Sequence, residues 1–408
     1  MNRYILIIAA MLTIVASSCK KEPEQKSGLP VVSTNEVTEI GIHSAVCSGI
    51  VTDQGDKPIN VRGFCWSTSP NPTTSDIFVN TDSYLKADSV PGVGPYKVLM
   101  TGLAANTTYY VRAYATNSKG ISYGDELSFS TQSYGSSVPE GGVNALFSID
   151  ENGGKVWFSK GNLQHQASTN TWRFSENQWG VCDSIANEHV SSAYAEASTA
   201  WIDLFGWGTS GYAHGANCYQ PWSTTANPTD YNAYGQNDSN LCDQTGMADW
   251  GYNAISNGGN AENLWRTLTK DEWDYLLFGR PNSNNHYGYG QVEGTNGLIL
   301  LPDIWTLPPR LSFKAGSSQW ENHYTAKQWN EMEVAGAVFL PASGMRNGTM
   351  LCHNTGSGNY WSSTCLWSGE IGCQYGAFSV YFGYETLASD NRVDRHAGFN
   401  VRLVRDFE

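Results

Sequence analysis

Apolar and polar positions change rhythm several times along the chain. Ile5 to Ala16 is an apolar run behind Met1-Asn2-Arg3. At about a dozen residues it is too short to cross a bilayer as a helix, which needs roughly 20. From Leu29 to Thr131 short runs alternate apolar and polar between regularly spaced turn residues, the pattern of an antiparallel sandwich. Val61 to Ser67 and Leu127 to Thr131 read as strands, as does the alternation Leu103, Ala105, Tyr109, Val111, Ala113. Gln132 to Gly142, with its Ser, Gly and Pro139, breaks the rhythm like a hinge. Beyond it, Val156 to Leu163 and Trp172 to Phe174 read as strands of a new core, and Trp201 to Gly208 as an aromatic turn. Thr269 and Glu272 form a capping box ahead of Trp273, Leu276 and Leu277 at helical spacing, and Ala326 to Val334 is a second helix stopped by Gly336. Leu298 to Pro302 is a buried-strand run between them. At the end, Gly336 to Pro341, Tyr360 to Ser363, Phe378 to Phe382 and Gly398 to Arg405 are strand-like, separated by loops crowded with Gly, Cys, Tyr, Asp and His. The expected fold is therefore mainly β, a sandwich followed by an α+β portion with long loops.

Composition agrees and narrows the partners. A chain of 408 residues with 40% hydrophobic content can bury two or three cores, and 42 Gly, 15 Trp and 22 Tyr favour loop-rich β structure over helix bundles. A net charge of -14, with no Lys/Arg cluster after the first 26 residues, argues against nucleic acid and anionic membrane surfaces. The basic start, the short apolar run and Ala16-Ser17-Ser18-Cys19 are similar to a bacterial lipoprotein leader. That resemblance implies a signal peptide over 1–18, acylated Cys19 and a polar tether over 19–28. The expected place is the outer membrane, lipid-anchored and surface-exposed, with contact to the membrane only through the anchor.

The alternation around Tyr109 resembles the E-to-F corner of a fibronectin type III domain, over 29–132, with a linker at 133–145. The resemblance implies that the Tyr109 hydroxyl bonds back to the upstream backbone. It also puts Cys47 and Cys65 on the B and C strands of facing sheets, where a disulfide and two buried free thiols are both open. Residues 146–408 resemble a C-type-lectin-like domain, of the kind found in bacterial surface lipoproteins and more distantly in formylglycine-generating enzymes. The resemblance rests on Gly336-Ala337-Val338-Phe339-Leu340-Pro341, Tyr360-Trp361-Ser362-Ser363 and Gly398-Phe399-Asn400-Val401-Arg402-Leu403-Val404. Trp265 to Trp273 adds the family's Trp-Arg and Glu-Trp pairs, departing from it at Thr267 and Leu268. The order of framework motifs and irregular loops from Tyr360 to Val404 also looks like the variable region of target proteins of diversity-generating retroelements. Cys352, His353, Leu366, Ile371, Tyr384, Leu387, Asp390, Val393 and His396 are residue types that region admits, while Trp367, Glu370 and Gln374 are not.

What the resemblance implies is binding without catalysis: an adhesin or receptor head for a surface glycan or protein. The candidate contacts are His353, Asn354, Trp367, Tyr375, Tyr381, Tyr384, Asp390, Arg392, Asp394 and His396. A subunit of a larger surface assembly, marked by a long flat unpaired strand edge, is one alternative; a carbohydrate-active or formylglycine-generating-type enzyme is the other, and ranks below it. The loop from Asn217 to Asn260 carries Tyr219, Trp222, Tyr231, Tyr234 and Trp250 among Asn and Asp, which suits sugar stacking or the pinning of an insertion to the core.

Other motifs lead away from chemistry. Gly120-Ile121-Ser122-Tyr123-Gly124 matches a nucleophile elbow but falls on a turn between strands. Gly206-Trp207-Gly208-Thr209-Ser210-Gly211 spells a dinucleotide fingerprint with no helix pattern after it. Asp230 starts like an EF-hand whose twelfth position is Leu241 rather than Glu, so no cofactor is expected beyond an irregular structural calcium on these loops. Cys352, His353, Cys365 and Cys373 lack zinc spacing; a Cys365–Cys373 or Cys352–Cys365 loop disulfide is the competing reading. Asp203, Asp249 and Glu321 offer no testable carboxylate pair.

Overall fold

The computed structural model describes residues 28–42, 44–80, 92–133, 138–182, 187, 198–212, 217–227, 240–241, 246–308, 310–352, 356–366 and 376–407. The expected leader, Cys19 and most of the tether lie outside the described residues. The chain is mainly β, as its alternation predicts.

Eight strands come first: β1 (Val31–Thr38), β2 (Ser44–Asp53), β3 (Val61–Ser67), β4 (Ile77–Asn80), β5 (Gly94–Thr101), β6 (Thr108–Asn117), β7 (Gly120–Tyr123) and β8 (Leu127–Ser130). They form two antiparallel sheets, β1-β2-β5 and β4-β3-β6-β7, with β8 also pairing β6. Alternation builds the space between them. On β5, Tyr96, Val98 and Met100 are buried while Lys97, Leu99 and Thr101 are exposed, and the buried set meets Phe64, Trp66, Val111 and Ala113 from the other sheet. This is a two-sheet antiparallel sandwich, and Tyr109 closes its corner. The hydroxyl accepts the Ala104 N–H at 3.0 Å, and the ring stacks on Phe129 at 5.9 Å. Tyr109→Phe is expected to destabilise the sandwich by about 1–3 kcal/mol, because a buried amide loses its partner. Chemical denaturation of the full chain checks this; an unchanged midpoint would mean that water serves Ala104 equally well.

Cys47 and Cys65 are both free and buried, so the disulfide alternative is corrected. The reason is strand parity. Phe64 and Trp66 face the core, so Cys65 between them faces away, toward the Pro72 and Arg112 carbonyls at 3.5 and 3.6 Å. Cys47 points inward, 3.7 Å from the Met100 sulfur. Burial pushes each thiol up to about 12. Ser122 lies on β7 opposite Ala115, in a hairpin without a following helix, so the elbow pattern is a coincidence of sequence.

The remaining strands are β9 (Phe147–Ser148), β10 (Lys155–Phe158), β11 (Leu163–Gln166), β12 (Thr171–Phe174), β13 (Trp201–Ile202) and β14 (Arg266–Thr267), followed by helix α1 (Lys270–Asp274). Next come β15 (Tyr287–Val292), β16 (Thr295–Leu300), β17 (Asn322–Tyr324), helix α2 (Ala326–Val334) and β18 (Val338–Pro341). The chain ends through β19 (Met345–Asn347), β20 (Met350–Cys352), β21 (Ser357–Cys365), β22 (Gly376–Gly383), β23 (Thr386–Asp394), β24 (Ala397–Gly398) and β25 (Leu403–Asp406). Strand β25 lies between β10 and β14, with Val156 opposite Asp406 and Thr267 opposite Leu403, so the last strand closes this portion onto its beginning. Both predicted helices carry complete capping boxes, Thr269 with Glu272 and Thr325 with Gln328. The first continues as a π turn over Tyr275–Gly279. The second stops at Gly336, whose φ of +98° only glycine adopts without strain.

The three-stranded sheet β21-β22-β23 sits between two cores. Tyr360, Val380 and Phe382 enter one with Trp273 and Leu277; Trp361, Cys365 and Ala377 enter the other with Trp207, Trp250 and Phe399. Adjacent residues on a strand point to opposite faces, so Tyr360-Trp361 supplies a large aromatic to each core.

The stretch from Thr386 to Asp394, expected as a loop, is a nine-residue strand. Leu387 and Val393 pack one on each core. Between them Ser389 donates to Asp274 at 2.6 Å and Asn391 to Ser379 at 3.0 Å. Polar side chains satisfied by hydrogen bonds fill positions where an apolar alternation would have revealed the strand.

Candidate functional site

The exposed surface at issue is built on the β22–β23 hairpin. Its register sets Gly376 opposite Asp394 at one end and Gly383 opposite Thr386 at the other, with an extra residue in β23 between Ser379 and Tyr381 of the partner strand. Seven residue steps separate the ends, roughly 20 Å.

At the tip, Tyr384 is 60% exposed. Glu385, at φ +60°, turns the chain, and its amide donates to Ser318 O at 2.9 Å. Gln319 Nε2 reaches the Glu385 carboxylate at 3.2 Å, so the tip is tied to the 318–319 loop. Tyr381 is half-buried, with its hydroxyl folded against Gly383.

At the far end, Asp390, Arg392 and Asp394 are exposed and alternate with the half-buried Asn391 and Val393. Arg392 stands opposite Phe378. Its guanidinium is 6.0 Å from that ring, and Lys270 Nζ, from the start of α1, is 5.8 Å away. His396 is half-buried in the turn before β24, beside the fully buried Arg395, whose guanidinium lies 4.2 Å over Trp207. The candidates thus divide along one hairpin: Tyr384 at the tip, Asp390, Arg392 and Asp394 along β23, and His396 in the turn beyond it. His353, Asn354, Trp367 and Tyr375 lie outside the described residues. Sequence reasoning missed Tyr287 and Trp320 beside the tip, and Lys270 and Phe378 beside Arg392. No local motif marks them, because β15, the 318–321 loop and α1 meet the hairpin only through tertiary packing.

The described aromatics of the long loop belong to the core. Tyr219 and Trp250 are fully buried, and Trp222 packs against the same cluster. Tyr231, Tyr234 and the calcium-like start at Asp230 lie outside the described residues. Among the described residues no group of three or more His, Cys, Asp or Glu could hold a metal ion.

Buried titratable groups serve the fold. Asp203 accepts from the Cys182 amide at 2.8 Å and from Asn187 Nδ2 at 3.0 Å. Asp249 accepts from the Gly251 amide at 2.9 Å and from Thr267 Oγ1 at 3.0 Å. Burial raises the pKa of both carboxylates. Glu321 is instead held by Lys314 at 2.7 Å. Each of the three carboxylates has its own separate partners, and no two share one. His165, packed 4.4 Å from Trp172, is held neutral by burial at about 4. Gly206 to Gly211 is a turn with Gly208 and Gly211 at positive φ; among the described residues only a three-residue 3-10 helix, Asn217–Tyr219, follows it directly, too short to be the helix that a dinucleotide fingerprint opens. Cys352 is exposed and free, whereas Cys365 is disulfide-bonded; the Cys352–Cys365 bridge is therefore corrected, and Cys373 lies outside the described residues.

No protein-family model matches this chain, and no curated protein matches it. Among solved structures it is similar to the sensor domain of the anti-sigma factor RsgI4 of Pseudobacteroides cellulosolvens, at 16% identity over 25% of this chain and 94% of that one, TM-score 0.20. A computationally redesigned β-sandwich protein matches at 24% identity over 26% and 95%, TM-score 0.18. The FN1–FN3 domains of chicken CNTN1 match at 13% identity over 36% and 51%, TM-score 0.19. Likenesses of this size say nothing of what the chain binds.

Proposed function

We propose that this chain is a non-catalytic cell-surface lipoprotein, anchored through Cys19, in which the fibronectin-like sandwich is a spacer and residues 146–408 are a lectin-like head that binds a surface glycan or protein. One observation carries the reading. From Gly376 to Asp394 the backbone is a hairpin with a packed core on each side, yet Tyr384, Asp390, Arg392 and Asp394 stand exposed on it. Side chains held on a packed scaffold are pre-organised, so little conformational freedom is lost when a ligand orders them.

The test is ligand capture by the full chain on arrays of surface glycans and surface proteins, beside a variant carrying Tyr384→Ala, Asp390→Ala, Arg392→Ala and Asp394→Ala. Capture by the native chain, at least tenfold weaker in the variant with the thermal midpoint within about 2 °C, is the expected result; surface substitutions away from packing rarely cost more than about 0.5 kcal/mol. No capture at all, or undiminished capture by the variant, would contradict the reading.

A diversified head is a second reading, favoured by the exposure of Tyr384 and Asp390 and constrained at Leu387 and Val393, which pack on the cores. The assembly alternative finds an edge strand in β23, but its three exposed charges and its extra residue are devices that discourage strand addition.

A further inference from the structure

We infer that the tip of the β22–β23 hairpin, together with the 318–321 loop and the start of β15, is a saccharide subsite that takes the apolar face of a neutral pyranose ring; this rests on the head being a binding head, and goes beyond it in ligand class and in residues. Three incompletely buried aromatic residues lie on the elements that meet at this corner. Tyr384 is 60% exposed at the tip. Trp320 is half-buried, with one face stacked on Tyr289 at 5.0 Å and 23°. Tyr287 is two residues before Tyr289 on β15 and so on the same face of the strand, half-buried, its hydroxyl 3.3 Å from Asn284 Oδ1.

The corner is fixed in place. Tyr289, the ring under Trp320, donates its hydroxyl to Thr386 O in the first residue of β23. The Glu385 amide bonds Ser318 O, and Gln319 bonds the Glu385 carboxylate. Hairpin and loop therefore hold one geometry, and the aromatic platform does not have to be assembled when a ligand arrives.

The lining chemistry selects the ligand. Flat aromatic faces accept the C–H face of a sugar ring, while a rim of carboxylate and amide groups, here Glu385, Gln319 and Asn284, reads hydroxyls as donor and acceptor. The cation beside the loop, Lys314, is paired with Glu321 at 2.7 Å, and the whole chain carries a net charge of -14. A sulfated or phosphorylated ligand would meet Glu385 and Glu321 with no free positive charge from Lys314, so a neutral saccharide fits where an acidic one does not.

The experiment is saturation-transfer NMR and calorimetry of the full chain with neutral gluco-, manno- and galacto-oligosaccharides, and with a sulfated oligosaccharide for comparison. Native chain, Tyr384→Ala, Trp320→Phe and Arg392→Ala are compared, with thermal midpoints as the folding control. The expected result is binding of at least one neutral oligosaccharide, weakened tenfold or more by Tyr384→Ala, weakened also by Trp320→Phe, and in both cases weakened more than by Arg392→Ala, at an unaltered midpoint for Tyr384→Ala. Binding lost with Arg392→Ala but kept with Tyr384→Ala would overturn this subsite and leave the binding head standing. Preference for the sulfated sugar, or capture of protein ligands only, would overturn the ligand class; silence toward every glycan and protein would overturn the subsite and the head together.

Discussion

Trp361→Ala is expected to destabilise the C-terminal portion by about 3–5 kcal/mol, the range for removing a fully buried tryptophan from a core. Trp361 is wholly inaccessible, its ring centroid lies 4.5 Å from that of Phe399, and its indole N–H donates to Phe205 O at 2.6 Å. Truncation would leave a cavity and remove one of the two hydrogen bonds that the Phe205 carbonyl accepts, the other coming from the Phe399 amide at 3.0 Å, so the cavity sets most of the cost. It would do so beside the point where Phe205 and Phe399 exchange backbone hydrogen bonds, which ties the end of the chain to the 201–207 turn. Urea denaturation of the full chain is the check. A loss below about 1 kcal/mol would mean that the second core does not close around this strand.

Replacing Arg266 should have the next largest effect. Its guanidinium bonds both Glu272 oxygens at 2.8 and 2.7 Å, and reaches Asp406 at 2.9 and 2.7 Å. Glu272 at the same time accepts the Thr269 amide of the capping box at 2.7 Å. One side chain on β14 thereby fixes the start of α1 and the end of β25, and the two carboxylates hold its pKa above the usual range for arginine. Arg266→Met is expected to cost about 2–3 kcal/mol, below the full figure for a buried pair because Asp406 is half exposed. Arg266→Lys should recover little of that, since an ammonium cannot make two bidentate contacts. Asp406→Asn should cost under about 1 kcal/mol. Equal losses in Arg266→Met and Asp406→Asn would contradict the clamp, because they would make the exposed partner the whole of it.

These two residues explain why much of the fold could be read from the sequence. Trp361 belongs to a run buried on both faces, and such runs appear as unbroken apolar and small residues; β16, β18, β21 and β22 were legible for that reason. Arg266 and Glu272 belong to a motif whose local part, the capping box, needs no tertiary contact to be recognised. Strand β23 was illegible because Ser389 and Asn391 occupy its inward positions, and their partners Asp274 and Ser379 are distant in sequence. Tyr219 and Trp250 stand among loop residues yet lie in the core, since hydrophobic composition does not say which side of an insertion faces inward. The Cys47 and Cys65 question turned on a single parity, and the large apolar neighbours Phe64 and Trp66 carry that signal in the sequence itself.

The exposure of these candidate residues was legible in the sequence; their arrangement was not. Tyr384, Asp390, Arg392 and Asp394 are exposed as expected of contact residues, but the hairpin separates the first from the others by its length. The elements that carry Trp320 and Tyr287 meet the hairpin tip through bonds from Glu385 and Thr386 to residues far upstream, which no local pattern announces.

The central claim is that framework and binding face are separate sets of residues within one hairpin. An alanine scan of 376–396, reading thermal midpoint and ligand capture for each variant of the full chain, tests it directly. Val380, Phe382 and Ser389 should lower the midpoint, Phe382 by the most, and Tyr384, Asp390, Arg392 and Asp394 should leave it in place while at least one of the four lowers capture tenfold or more. Should the exposed positions melt the chain, or should capture fall only where the midpoint falls, the separation is absent and the hairpin is core rather than a display surface.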